Sequence, residues 1–445
     1  MQLTILGGGG FRVPLVYGAL LTDHHERRVD EVVLYDSDPT RLRAIEAVLA
    51  QMGKGVDAPP TVRTTTDLDT AVAGADFVFS AIRVGGLEGR TCDERVALDL
   101  GVLGQETTGP GGLAYGLRTV PVARLFAERI AELAPQAWVI NFTNPAGMIT
   151  QAKQQVLGER VVGICDSPIG LGRRAARALE LDPDRTALDY VGLNHLGWLR
   201  GLRHDGRDVL PQLLGDDTLL DGIEEGRLFG AEWIRSIGAL PNEYLYYYYF
   251  TREAIAGIRG TAQTRGEFLL DQQQAFYDEV TSDPDSALSI WRRTRAERDA
   301  TYMREARAQD EARDAVDLEG GGYEGVALAL MAAIARGERT AMILNVRNGS
   351  AVPGLPPGAV VEVPCAVDGA GPTPLATRPL EGHMLGLVQQ VKYVEGLTIR
   401  AATERDRRTA VEAFALHPLV DSVGTARMLL EGYRERIPQV GALFA

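Results

Sequence analysis

Four consecutive glycines, Gly7, Gly8, Gly9 and Gly10, follow an apolar run at the head of the chain and precede a helical pattern. Glycines at such a turn let backbone N–H groups close on a pyrophosphate, which a helix N-terminus also attracts. Asp36 ends a second β-rich run. A carboxylate there can hydrogen-bond a ribose 2′-hydroxyl and would repel a 2′-phosphate, which favours NAD over NADP. Phe11 and Arg12 complete the loop. Arg12 stands where the third glycine of G-x-G-x-x-G is expected, and it is expected to contact a phosphate. The alternative is a tight glycine turn in an α/β fold that binds no cofactor.

Two further side chains could do chemistry. Cys165, in GICDSPIG, closes another β-rich run, and ligands of open α/β sheets gather just outside such strand ends. His195 lies in GLNHLGW, framed by glycine and asparagine. A thiolate and an imidazole can hold a divalent ion and leave positions open for substrate oxygens. The alternatives are a buried cysteine acting as a small hydrophobe and a hydrogen-bonded structural histidine.

These residues need strands and helices to position them. The β-rich runs 3–6, 31–36, 76–82, 138–143 and 161–166 alternate with helical patterns. One of these, Pro39 to Met52, carries Leu42, Ile45, Val48 and Leu49 on one face. Such alternation predicts a Rossmann-like, doubly wound parallel sheet over 1–190. Over 191–445 long helical stretches dominate (263–281, 286–314 and 323–337). Two β-like segments, 342–349 and 360–367, flank a proline-rich turn at 352–360, and a helical tail follows. A mixed, mostly helical α+β domain for substrate, metal and oligomerisation is expected there.

The net charge of −14 argues against nucleic acid and against an anionic membrane surface as partners. Three cysteines, Cys92, Cys165 and Cys365, are too few for a disulfide framework and fit a reducing cytoplasm. No uninterrupted apolar stretch approaches the roughly 20 residues that span a bilayer. The 50 glycines are a surplus over the usual share of about 7% and cluster in part in 7–10, 85–86, 109–112 and 192–197.

Taken in order, IRVGG (82–86), GQETTGPGG (104–112), NFTNPAG (141–147), GICDSPIG (163–170) and GLNHLGW (192–198) resemble glycoside hydrolase family 4. PNEYLYYYYF (241–250), ILNVRNG (343–349), GLPPGAVVEVPC (354–365) and FALHPLV (414–420) extend the likeness over essentially the whole chain. These are the NAD- and manganese-dependent glycosidases, and the 6-phospho-β-glucosidases are the most similar.

The resemblance implies an exception to the two-carboxylate route of glycoside cleavage. NAD⁺ takes a hydride from C3 of the sugar, a base removes the C2 proton and the C1 substituent is eliminated. Water then adds and the hydride returns. It further implies that Cys165 and His195 hold Mn²⁺ or another divalent metal, and that a tyrosine of the 241–250 block is the base. Tyr244 is the choice and Tyr248 the second, with aromatic packing for most of that run. Glu106 matches a carboxylate that supports the base. Asn144, Arg90 and Arg265 match substrate-holding residues, and Arg83 is expected to assist them. Asp166 departs from the asparagine usual in β-specific members. A carboxyl there could protonate the leaving group, which keeps an α-linked substrate open. Family members are commonly dimers or tetramers, so a homodimer or homotetramer is expected.

Two rivals remain. A lactate/malate-type dehydrogenase would share the cofactor fold and accumulate NADH. A non-catalytic NAD-sensing regulator would show no turnover on any phosphoglycoside.

Overall fold

The computed structural model describes residues 1–301 and 322–445. Six strands form a parallel half-sheet: β1 (Gln2–Leu6), β2 (Glu31–Tyr35), β3 (Thr61–Thr65), β4 (Phe77–Ser80), β5 (Trp138–Asn141) and β6 (Val161–Gly163). Their spatial order is β3-β2-β1-β4-β5-β6, the doubly wound arrangement in which the chain reverses direction beside β1. All five pairings are parallel. The five β-rich runs read from the sequence are five of these strands. β3, TVRTT, is the one missed: it is an edge strand with no fully buried residue, so it carries little apolar signal.

The helix Pro39–Met52 forms where its pattern predicted. Asp38 accepts from Thr40 N (2.8 Å) and Arg41 N (3.2 Å), proline occupies the first turn, and Leu42, Ile45, Val48 and Leu49 are buried. Truncating Ile45 to alanine removes a fully buried side chain, a loss of about 2–5 kcal/mol.

Beyond residue 185 the chain is mixed and mostly helical, as expected, but it holds strands that the sequence pattern did not mark. A long hairpin, β7 (Thr186–Leu193) and β8 (Leu196–His204), turns at Asn194–His195. Small strands β9 (Arg207–Asp208) and β10 (Leu240–Pro241) pair with β8. β11 (Thr340–Arg347) and β12 (Val360–Asp368) are antiparallel neighbours joined across the proline-rich turn, and β13 (Gly371–Pro374) pairs with β12. β11 adds to β6 and β12 to β7, so a single 13-stranded sheet runs through both halves. The hairpin's inner residues are buried on both faces (Tyr190, Val191, Trp198 and Leu199), which erases the alternation that marks a half-buried strand.

The expected helices appear at Arg265–Ser282, Ala287–Ala300 and Tyr323–Arg336; positions 302–314 of the stretch 286–314 lie outside the described residues. The helical tail (Gly382–Glu404, Arg407–Leu416 and Val423–Arg436) packs a second apolar cluster against the helix Pro110–Leu133. No helix among the described residues is long and apolar enough to cross a membrane, and all three cysteines are free thiols.

Candidate active site

A cavity of about 1670 Å³ opens at the carboxyl ends of the parallel strands. Every candidate site residue read from the sequence lines it except Gly8 and Tyr248.

At one end lies the glycine turn. Gly7 adopts φ +89°, and a Cβ there would meet Ala81 O at 2.7 Å; a Cβ on Gly8 would meet Leu34 Cβ at 2.7 Å. Only glycine lets this turn press against the ends of β2 and β4, where Gly7 N and Gly8 N both donate to Tyr35 O (2.9 and 2.7 Å). Gly8 serves that packing from beneath. Asp36 accepts from Gly9 N (3.0 Å) and Asp38 N (3.1 Å), which ties the turn to the end of β2. Burial pushes its carboxyl up, against the pull of those two N–H groups. The helix Val13–Leu21 starts directly after Arg12. A glycine turn seated tightly on the strand ends, a helix N-terminus and a carboxylate at the end of β2 together fit a dinucleotide.

Cys165 follows β6, and His195 occupies the hairpin turn with φ +62°, a left-handed conformation that few non-glycine residues adopt. His195 is 8% exposed, and burial lowers its pKa to about 4, so the ring is neutral at physiological pH. Thr107 Oγ1 engages its Nδ1 at 3.1 Å, leaving Nε2 for a metal. Burial, with Glu362 and Asp166 nearby, pushes the Cys165 thiol well up. Among the described residues no group of three or more His, Cys, Asp and Glu gathers for a metal. A neutral imidazole and one sulfur nevertheless fit a divalent ion whose remaining positions are taken by substrate oxygens.

Tyr244 lies flat on His195, with ring centroids 3.6 Å apart and planes 4° apart. Tyr248 instead faces a small inner cavity beside His417 and Glu395, and burial pushes its phenol up. Of the two tyrosines, only Tyr244 reaches the main cavity.

Both oxygens of Glu106 are held by arginines: Oε2 by Arg83 Nη1 (2.6 Å) and Oε1 by Arg90 Nη1 (2.8 Å). Burial would raise its pKa, but the two guanidiniums hold it down to about 2. Arg90 Nε also binds Glu94 (2.9 Å), whose other oxygen accepts from Gly266 N (2.7 Å) at the start of the helix that carries Arg265. Arg265 Nη2 donates to Arg298 O (2.9 Å). Asn144 enters the cavity just past β5, at a cis bond to Pro145, with its Oδ1 accepting from Ala146 N (3.2 Å). Asp166 precedes the helix Ser167–Ala178 without a side-chain cap bond and lines the cavity beside Cys165.

Three residues were missed. Arg298 shares the cavity, and burial followed by Arg12, Arg265, Arg90 and Arg83 drives its pKa well below the ordinary guanidinium value. Thr107 and Glu362 support His195: Glu362 accepts from Asn345 (2.8 Å), Tyr190 (3.1 Å) and Asn194 (3.4 Å), the other turn residue. Arg298 falls outside any local motif, and Glu362 lay within GLPPGAVVEVPC without a spacing signal. Thr107 was within GQETTGPGG but carried no spacing signal.

The strand order, the glycine turn and the polar cavity at the strand ends define a Rossmann-type α/β enzyme. The family 4 glycosyl hydrolase profile matches residues 2–181, and the profile for the C-terminal domain of that family matches 190–420. The chain belongs to glycosyl hydrolase family 4. It is 32% identical to a probable 6-phospho-beta-glucosidase of Bacillus subtilis, covering 99% of this chain and 98% of that protein. It is 31% identical to a maltose-6′-phosphate glucosidase of the same organism, covering 97% and 94%. Among solved structures, the 6-phospho-beta glucosidase of Thermotoga maritima with manganese, NAD⁺ and glucose-6-phosphate superposes with a TM-score of 0.81. That match has 26% identity and covers 98% of each chain.

Proposed function

We propose that this enzyme hydrolyses 6-phospho-β-glucosides, such as phosphorylated cellobiose, with NAD⁺ and Mn²⁺ as cofactors. The observation that carries the reading is the set of arginines on one cavity. Arg12, Arg83, Arg90, Arg265 and Arg298 share it with Cys165, His195 and Tyr244. Glu106 and Glu94 partner Arg83 and Arg90, while burial and then the surrounding arginines depress the Arg298 guanidinium, a local excess of positive potential. A phosphate dianion would relieve it, and the planar guanidinium suits phosphate oxygens.

When bound, NAD⁺ supplies a hydride acceptor for C3, and Mn²⁺ a Lewis acid for the C2 and C3 oxygens. Cys165 and His195 would hold the metal, with Thr107 orienting the imidazole. The glycine turn and Asp36 would hold the dinucleotide. Arg90, Arg265 and Asn144 would fix the phosphosugar, with Glu106 setting the two arginines of the 82–90 segment. Tyr244 would remove the C2 proton. A phenol with an ordinary pKa near 10 needs neighbouring positive charge for that task, and the arginine-lined cavity supports it.

One observation favours a second reading: the Asp166 carboxyl lines the cavity beside Cys165, which suits an α-linked substrate needing a proton donor at its leaving group. Hydrolysis of paired p-nitrophenyl α- and β-glucoside 6-phosphates, with Mn²⁺, NAD⁺ and reductant, tests both. Faster cleavage of the β compound without net NADH is expected. Preference for the α compound supports the second reading. Net NADH accumulation, or cleavage of unphosphorylated glucosides alone, refutes both.

A further inference from the structure

Three main-chain carbonyls of the glycine turn receive hydrogen bonds from aromatic side chains more than 260 residues further along the chain. The Tyr277 hydroxyl donates to Gly9 O at 2.6 Å, the Trp291 indole N–H to Phe11 O at 2.9 Å, and the Tyr323 hydroxyl to Arg12 O at 3.0 Å. Each donor sits on a different helix: Arg265–Ser282, Ala287–Ala300 and Tyr323–Arg336. All three are at least 95% buried.

Packing fixes the same groups. The Phe11 ring meets Phe276 edge-on, with centroids 5.0 Å apart, and lies 6.1 Å from Trp291. Tyr323 stacks on Phe142 at 3.9 Å. Burial pushes the Tyr277 and Tyr323 phenols up, so both remain donors across the physiological range.

A loop that binds a pyrophosphate turns its N–H groups to the anion. Its carbonyls must then face elsewhere and find donors of their own. In an exposed loop water fills that role and leaves the peptide planes free to rotate. Here the donors are rigid, buried rings.

We propose that Tyr277, Trp291 and Tyr323 are positioning residues for the dinucleotide: they hold the Gly9, Phe11 and Arg12 carbonyls so that the turn, whose glycine N–H groups bond Tyr35 O, Asp36 and Gly7 O, presents the Phe11–Arg12 backbone and the helix that follows in a fixed setting before the cofactor arrives. Two of these helices bring Arg265 and Arg298 to the cavity, so the clamp also fixes the cofactor turn relative to the phosphosugar end. This rests on the dinucleotide reading of the turn given above.

The test is direct NAD⁺ binding to the apo protein by calorimetry, with no turnover required. Tyr277→Phe and Tyr323→Phe each delete one donor at nearly constant volume. The first strands the Gly9 carbonyl and the second leaves Arg12 O with Leu15 N as its donor, and a roughly five- to thirtyfold rise in the NAD⁺ Kd is expected, larger for Tyr277→Phe. Amide hydrogen exchange at residues 8–12 should quicken in the apo variants, while the Mn²⁺ Kd stays within twofold of wild type. If the double variant binds NAD⁺ within twofold of wild type, the proposal is overturned, even where its unfolding temperature has dropped. If wild-type protein fails to bind NAD⁺ at all, the dinucleotide reading falls and the clamp falls with it.

Discussion

The imidazole of His195 and the phenol ring of Tyr244 are stacked face to face, 3.6 Å between centroids and 4° from parallel. One residue is the proposed metal ligand and the other the proposed base, so a single contact sets where the C2 proton and the C2 oxygen must lie. Tyr244→Phe keeps the ring and therefore the stack. A drop in kcat of about 10²- to 10⁴-fold is expected, the usual worth of a positioned base, with Mn²⁺ and NAD⁺ affinities unchanged. Steady-state kinetics beside electron paramagnetic titration of Mn²⁺ separates the two. A normal kcat would remove Tyr244 from the chemistry.

Thr107 reaches the same histidine at its ring edge, through Nδ1 at 3.1 Å. Orienting partners of metal-binding histidines commonly carry 10- to 100-fold in metal affinity. Thr107→Val should therefore weaken Mn²⁺ binding by about that factor and restore activity when Mn²⁺ is raised. A lower kcat that saturating Mn²⁺ does not recover would contradict this.

The parts of this site that could be read in the sequence are those whose signal is local. The glycine turn, the helix from Pro39 and the cysteine at the end of β6 are each specified by neighbours in the chain. Arg90 and Glu94 are one helical turn apart, so even their ion pair follows from spacing. The hairpin carrying His195 was not legible, because both its faces are buried and its turn is Asn-His, without the glycine that usually marks a tight hairpin. Arg298, Glu362 and the aromatic donors to the turn depend on tertiary convergence. Trp291 and Phe11 meet across 280 positions, and no periodicity encodes such a meeting.

Glu106 matched a carboxylate supporting the base, yet both its oxygens grip Arg83 and Arg90. Glu106→Gln leaves the buried Arg90 with Glu94 alone and the partly exposed Arg83 short of an anion. A loss of about 3–5 kcal/mol in unfolding free energy is expected, together with a raised KM for the phosphosugar as the arginines shift. Denaturant melts and kinetics check both. A fall in kcat alone, with KM and stability unchanged, would instead support a direct effect on the base.

Lys153 is buried beneath the strand ends, donating to Ser80 Oγ (2.6 Å) and Asn141 Oδ1 (3.1 Å). Burial pulls its pKa from 10.5 to about 7. The unfolded chain keeps that proton to about 10.5, so between pH 7 and 10.5 it holds more protons than the folded one. Stability from this residue therefore rises with pH across that window and is flat below it. Wild type should gain unfolding free energy relative to Lys153→Met between pH 7 and 9.5, measured by urea titration. Parallel pH slopes would mean that the ammonium stays charged in the fold.

Asp166 follows Cys165, the proposed metal ligand, and lines the cavity, where family resemblance places asparagine in β-specific enzymes. Its chemistry can be isolated by the leaving group. A p-nitrophenolate departs without a proton, whereas a sugar alkoxide needs one, so only the second depends on a general acid. Asp166→Asn changes the proton and hardly the volume. If the carboxyl is the acid, the variant loses about 10²- to 10⁴-fold on a disaccharide 6-phosphate and stays within severalfold of wild type on the nitrophenyl analogue. The Mn²⁺ Kd, measured alongside, guards against a disturbed Cys165. Equal losses on both substrates would show that Asp166 acts on binding or on the metal. The proton would then come from another group, and the residue would no longer argue for an α-linked substrate.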